Sequence, residues 1–274
     1  MTSIFEPPVL EPHKELTHAI TAAIEAGKEI MKIYSTEFEA NSKDDDSPIT
    51  LADLKSNESI KRILSKSNYW ILSEEDLDNP KRLSENRIWI VDPLDGTTDF
   101  VNRTGEFTVM IALVENKKPV LGVIFWPTKG ILYIAQKNFG AFRFQDDKWS
   151  RINVSRISKL TDCRAIGSRH HLSEQEKKLL EKLQVANFSS IGSSLKVGLI
   201  SSGEAEIYLT TTNKMKEWDS CASYCIVSEA GGMMTDMNGN DLTYNNPLVN
   251  HENGILVTNR LVHEIIVEEF KKLK

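Results

Sequence analysis

From Lys14 to Tyr34 the apolar positions Leu16, Ile20, Ala23, Ile24, Ile30 and Met31 recur at helical spacing, which predicts a long amphipathic helix. A polar, acidic stretch, NSKDDDSP, interrupts it, and Pro48 keeps any earlier helix from running on. A second helical pattern opens near Thr50 and runs to about Ser65 through Leu51, Leu54, Ile60, Ile63 and Leu64. After Pro80 the period becomes that of strands. Residues 88–91 (IWIV) form a short, nearly all-apolar run that breaks off at DPLDG. Segments 107–115, 120–126, 130–136 and 139–144 follow, rich in Val, Ile, Phe and Tyr, and their short connections imply antiparallel neighbours.

Past about Ser150 strands and helices alternate. CRAIGS, FSSIG, EAEIYLT and GILVTN read as strands. Helices are expected over 173–185, over a small-residue stretch ending near Gly203, over 219–230 before Gly231-Gly232, and from there to a last helix ending at Lys274. The fold class is therefore α/β. An α+β N-terminal lobe with an antiparallel sheet covers residues 1–150, and an α/β C-terminal lobe covers residues 151–274. No linker rich in Gly, Pro or Ser separates them.

Composition narrows the class. At 274 residues, 40% hydrophobic and 26% charged, the chain reads as globular, with one large domain or two fused lobes. There is no apolar run long enough for a spanning helix and no signal-peptide pattern at the N-terminus. Three cysteines suit a reducing, cytoplasmic setting. A net charge of -6 argues against a nucleic-acid polymer as partner. Cys221 and Cys225, four apart on a helix, read as packing residues; His13, His18, His251 and His263 read as surface residues.

Candidate chemistry lies in the acids. Asp92 and Asp95 stand three apart directly after an apolar strand, with Gly96 and Thr97 behind them. Glu74-Glu75 follows another apolar run, YWIL, and Asp219 opens a helix after Trp218. Singly, each has a plain structural explanation: turn residues, a charged loop, an N-cap, or for Asp53 a favourable first-turn charge. Together they suggest an oxygen-donor cluster suited to Mg²⁺ or Mn²⁺. Whether they converge is a tertiary question.

At these residues the chain resembles the inositol monophosphatase-like superfamily of Mg²⁺-dependent, lithium-sensitive phosphatases. SEED at 73–76, WIVDPLDGTTDF at 89–100, and WDSCA at 218–222 before EAGG carry the likeness. Within it, DSPITLAD at 46–53, GEFTVMIALVENKKPVLGVIFWP at 105–127 and SSIGSSLKVGLISSGEAEIYL at 189–209 are most similar to CysQ-type 3'(2'),5'-bisphosphate nucleotidases. The resemblance implies a layered αβαβα sugar-phosphatase-like fold. It also implies hydrolysis of adenosine 3',5'-bisphosphate to AMP, with adenosine 3'-phosphate 5'-phosphosulfate as a further substrate.

Residue by residue, Glu74, Asp92, Asp95, Asp219 and the Leu94 carbonyl would hold two or three Mg²⁺ ions. Asp53 and Thr97 would be the catalytic pair that activates water. Glu74, Leu94, Asp95, Gly96, Thr97 and Asp219 would also face the substrate, joined by Ser168, His171, Gly192, Ser193, Ser194 and Lys196 on the nucleotide side. The resemblance further implies a cytoplasmic monomer or homodimer, with peripheral association at the inner membrane. Two departures stand out: Thr98-Asp99 replaces the nucleotidases' usual Lys-Glu, and Ser168-Arg169-His170-His171 replaces Ser-Arg-Ser-His. An inositol monophosphatase, a sugar-bisphosphate phosphatase and a non-catalytic phospholigand-binding protein of the same fold remain alternatives.

Overall fold

The computed structural model describes residues 7–9, 12–42, 48–169 and 173–273. Helix α1 (Lys14–Tyr34) occupies the range its periodicity predicts. A short antiparallel pair, β1 (Ala40–Ser42) and β2 (Pro48–Thr50), leads into α2 (Leu51–Leu64). Thr50 caps α2: its hydroxyl accepts from Ala52 N–H, and the Asp53 carboxylate reaches back to Thr50 N–H at 2.7 Å. Leu51 and Leu54, expected on the buried face, are exposed; Ala52, Ile60, Ile63 and Leu64 do the packing.

Strands β3 (Trp70–Ser73), β4 (Arg87–Asp95), β5 (Thr108–Glu115), β6 (Lys118–Trp126), β7 (Ile131–Gln136), β8 (Gly140–Gln145) and β9 (Lys148–Ile152) form a seven-stranded sheet in sequence order. From β4 to β9 it is the expected antiparallel meander, while β3 pairs with β4 in parallel. The short helix α3 (Thr97–Val101) follows β4.

A five-stranded sheet takes β10 (Arg164–Gly167), β11 (Asn187–Ser190), β12 (Ile207–Thr210), β13 (Met233–Thr235) and β14 (Ile255–Thr258), in the order β11-β10-β12-β14-β13. Its helices are α4 (Glu174–Lys182), α5 (Leu195–Ser201), α6 (Glu217–Glu229) and α7 (His263–Lys271).

Three apolar clusters show how these pieces stack. On one face of the large sheet, Trp89, Val91, Ile111 and Val123 pack against Leu16, Ile20 and Ile30 of α1 and Ile60 of α2. On its other face, Ile88, Ile90, Ala112 and Ile124 meet Val197 of α5 and Cys221, Cys225 and Ile226 of α6. Those helices also rest on Ile166, Tyr208 and Val257 of the small sheet, whose far side is covered by Leu179 and Ile266 from α4 and α7. The result is the five-layer αβαβα stack that the resemblance implied. Strand β4 is buried on both faces, which is why it reads as a continuous apolar run rather than an alternating one.

Two expectations are corrected. The strand of residues 88–91 does not stop at DPLDG but continues through Asp95. His251 and His263 are buried, not on the surface, because neighbouring side chains satisfy their ring nitrogens: Ser220 Oγ lies 2.7 Å from His251 Nε2, and Thr235 and Thr258 hydroxyls bracket His263 at 2.8 and 2.9 Å. Cys221 and Cys225 are buried packing residues, as expected.

Candidate metal centre and phosphate cleft

The site is built on an irregularity of β4. Asp92 pairs with Met110 and Asp95 with Thr108, so three steps along β4 match two along β5. In a regular strand, residues three apart point to opposite faces. The extra residue restores both aspartates to one face, the side occupied by α5 and α6, while Leu94 turns into the cluster behind. Leu94 N–H donates to Asp92 Oδ1 at 3.1 Å and holds that carboxylate in place.

Glu74 comes from the segment after β3, and its N–H donates to Val91 O at 3.2 Å. Asp219 comes from the first turn of α6. It is not the N-cap: Lys216 is, and Asp219 Oδ2 accepts from Lys216 N–H at 2.7 Å. One oxygen each of Glu74, Asp92 and Asp219 lie within 4.8 Å of one another. Asp95 lines the same cleft outside that trio; its Oδ2 accepts from Ser194 N–H at 2.5 Å and from Thr108 Oγ at 3.2 Å.

Electrostatics tests whether cations fit. Burial, and then the charges of Glu74, Asp95 and Asp219, hold Asp92 well above the usual carboxylate range. Burial and then Glu74 do the same to Asp219. Asp95 is raised by burial, against the opposing pull of Lys196 and the Ser194 N–H. Carboxylates this crowded either take up protons or share cations, and an all-oxygen donor set suits hard divalent ions of the Mg²⁺ type. The residues fit such ions.

Thr97 Oγ donates within 3.0 Å of Asp53 Oδ1 and lies 3.2 Å from Leu94 O. The other Asp53 oxygen accepts both the N–H and the hydroxyl of Thr50 at 2.7 Å. Burial raises the proton affinity of Asp53 despite those bonds. Thr97 lines the cleft, whereas Asp53 lies behind it.

The cleft encloses roughly 770 Å³. Of the residues singled out in the sequence, Glu74, Asp92, Leu94, Asp95, Gly96, Thr97, Ser168, Gly192, Ser193, Ser194, Lys196 and Asp219 all line it. His171 and most of the acidic run before Pro48 lie outside the described residues. The 192–196 segment differs in detail from the expected anion-receiving helix start. Gly192 N–H donates to Glu106 Oε2 at 2.7 Å, Ser194 N–H is taken by Asp95, and Lys196 Nζ turns back to Ser193 O at 2.5 Å. Burial lowers the Lys196 pKa.

Sequence reading missed Glu106, and named Asp99 and Arg169 only within the two departing motifs; the three form a charged group at the rim. Arg169 Nη2 lies 2.7 Å from both Glu106 oxygens, and Asp99 Oδ1 accepts from Thr104 Oγ at 2.9 Å. Their only signal was membership of the quoted motifs, which says nothing about pairing.

This layered stack carries its acids around the bulged end of β4, and residues 11–274 fit the sequence profile of the inositol monophosphatase family, so the chain belongs to it. Within that family it is similar to CysQ-type proteins. The 3'(2'),5'-bisphosphate nucleotidase CysQ of Aggregatibacter actinomycetemcomitans is 35% identical over 244 residues, 87% of this chain and 90% of that protein. CysQ of Escherichia coli strain K12 is 34% identical over 229 residues, 80% of this chain and 89% of its own length. The crystal structure of CysQ from Bacteroides thetaiotaomicron superposes with a TM-score of 0.77 at 33% identity, covering 90% of this chain and 97% of that one. A Thermotoga maritima inositol monophosphatase shares the fold at a TM-score of 0.81 and 24% identity, over 95% of this chain and 98% of that one.

Proposed function

We propose that the chain is a Mg²⁺-dependent phosphomonoester hydrolase that removes the 3'-phosphate of adenosine 3',5'-bisphosphate to leave AMP, with adenosine 3'-phosphate 5'-phosphosulfate as a second substrate. The observation that carries the reading is the approach of Glu74, Asp92 and Asp219 to within 4.8 Å beside the hydrogen-bonded Thr97–Asp53 pair. The names of the CysQ relatives support the nucleotide substrate.

In this reading Glu74, Asp92, Asp95, Asp219 and the Leu94 carbonyl hold two or three Mg²⁺ ions, with Mn²⁺ as a substitute. Bound there, the cations supply Lewis-acid stabilisation of phosphoryl charge and offset the repulsion among the carboxylates. Thr97 is the only member of the catalytic pair that lines the cleft. A proton leaving the attacking water therefore passes to its hydroxyl while that hydroxyl passes its own to Asp53. Thr50 holds the Asp53 carboxylate in one orientation for this transfer. Gly96 and Thr97 border the scissile phosphate. Ser168 and His171 from one segment and Ser193, Ser194 and Lys196 from another would flank the nucleotide, with Gly192 giving the second segment room to approach.

The proposal extends to a cytoplasmic monomer or homodimer. Among the described residues no helix is long and apolar enough to cross a membrane.

The test is phosphate release from adenosine 3',5'-bisphosphate, inositol 1-phosphate and a sugar bisphosphate, each with Mg²⁺ and with chelator. The expected result is Mg²⁺-dependent release with the adenosine substrate preferred at least about tenfold in kcat/KM, a difference of roughly 1.4 kcal/mol in transition-state binding. Preference for inositol 1-phosphate or the sugar would move the protein to the rival phosphatase reading, and no release from any substrate to a binding role.

A further inference from the structure

The rim group of Glu106, Arg169 and Asp99 lies outside every role assigned above. Glu106 belongs to the segment just before β5, on the large-sheet side of the cleft, and neither it nor Arg169 is among the residues lining the cleft. Its carboxylate does two things at once. Oε2 accepts the Gly192 N–H at 2.7 Å, and both oxygens accept from Arg169 Nη2 at 2.7 Å. The two partners sit in different loops of the small-sheet side: Arg169 follows Ser168, and Gly192 precedes Ser193 and Ser194. Ser168, Gly192, Ser193 and Ser194 all line the cleft.

The fit at Gly192 leaves no slack. A Cβ there would lie 2.5 Å from Asp99 Oδ2 and 2.7 Å from Glu106 O. Two carboxylates thus grip one loop, Glu106 at the Gly192 amide and Asp95 at the Ser194 amide. Asp95 is shared with the acidic cluster; Glu106 is not. The Arg169–Glu106 pair is partly exposed and contributes little to global stability. A charge-assisted bond to a loop amide is a stronger and more directional restraint.

We infer that Glu106 is a positioning residue for the substrate. It clamps the 168–169 and 192–194 loops at a fixed distance from the phosphate end of the cleft, and so sets affinity for substrates long enough to reach those loops. The inference rests on the reading that the cleft binds a phosphate ester. Glu106→Ala removes both contacts, whereas Glu106→Gln keeps an acceptor for Gly192 N–H and loses only the charge opposite Arg169.

The experiment measures kcat and KM for adenosine 3',5'-bisphosphate and for p-nitrophenyl phosphate, too short to span the cleft, together with hydrogen exchange across residues 187–196. Glu106→Ala should raise KM for the nucleotide about tenfold, with kcat within about threefold and KM for p-nitrophenyl phosphate within about twofold. Glu106→Gln should recover most of the loss, and exchange over 187–196 should quicken only in the Ala variant. Equal KM changes for both substrates, or unchanged exchange, overturn the inference. Failure of the wild-type protein on the nucleotide would count against the substrate reading instead, and the exchange measurement would then decide this one.

Discussion

Asp92 is 1% exposed inside β4, directly after four apolar residues, with two further carboxylates within reach of its own. Nothing in packing favours an acid there; in the proposed function the cation it holds supplies the reason. Thr97 poses the opposite problem, an ordinary helix-starting residue whose hydroxyl happens to bridge the cleft and Asp53. Thr97→Ala should lower kcat by about 10²-fold or more, the scale of a lost proton-transfer group, with little change in the Mg²⁺ concentration giving half-maximal rate. Steady-state kinetics across a Mg²⁺ titration checks this, and an altered Mg²⁺ requirement at constant kcat would refute it. The acids of the trio were legible in the sequence because Glu74 and Asp92 follow apolar runs and Asp219 opens a helix after Trp218. Glu106 was not, and Asp99 was legible only as a departure from the related pattern, since the meaning of both lies in what they touch.

At the scale of elements, α6 carries Asp219 to the site and lies across β4–β8. The approach is close: a Cβ on Gly122 of β6 would fall 2.6 Å from Ala222 O, one turn along α6 from Asp219. Gly122→Ala should push the helix off the sheet and cost about 1–3 kcal/mol, the range for forced overpacking. It should also raise the Mg²⁺ requirement, because Asp219 moves with the helix. Urea unfolding and a Mg²⁺ titration of activity measure the two effects, and a stable variant with unaltered Mg²⁺ dependence would show that the contact does not position the ligand. Helices α1 and α2 were predicted from periodicity; α6 was predicted to start two residues late, because a first-turn Asp looks the same at the N-cap as at the third helical position.

At the scale of the whole molecule, five layers bury groups that local sequence places at the surface. Burial lowers His263 to about 4, and a neighbouring Arg260 charge adds to the effect. The unfolded chain binds a proton near pH 6.5, so between about pH 6.5 and 4 unfolding takes up protons and stability falls as pH falls. Above pH 6.5 the contribution is fully present. From pH 7 to 5 the loss from this side chain is about 2 kcal/mol. Urea unfolding at the two pH values should show it in the wild type and show a shallower slope in His263→Gln; equal slopes would mean that His263 is not the titrating group.

The chain's own order of residues determined what depends on neighbours a few positions away. Helix periodicity, the Thr50–Asp53 cap, the meander's short turns and the placement of Glu74 and Asp92 behind apolar runs follow from local sterics and local hydrogen bonding. Tertiary structure alone decided the rest. A bulge whose second strand is β5 places Asp92 and Asp95 on one face, and packing of α6 on the large sheet brings Asp219 beside Glu74. Which hydroxyls neutral His251 and His263 meet, and which carboxylate holds the Gly192 loop, depend likewise on segments far apart in the chain. Spacing along a sequence fixes direction within an element, but the distance between elements is set only when their apolar faces close on one another.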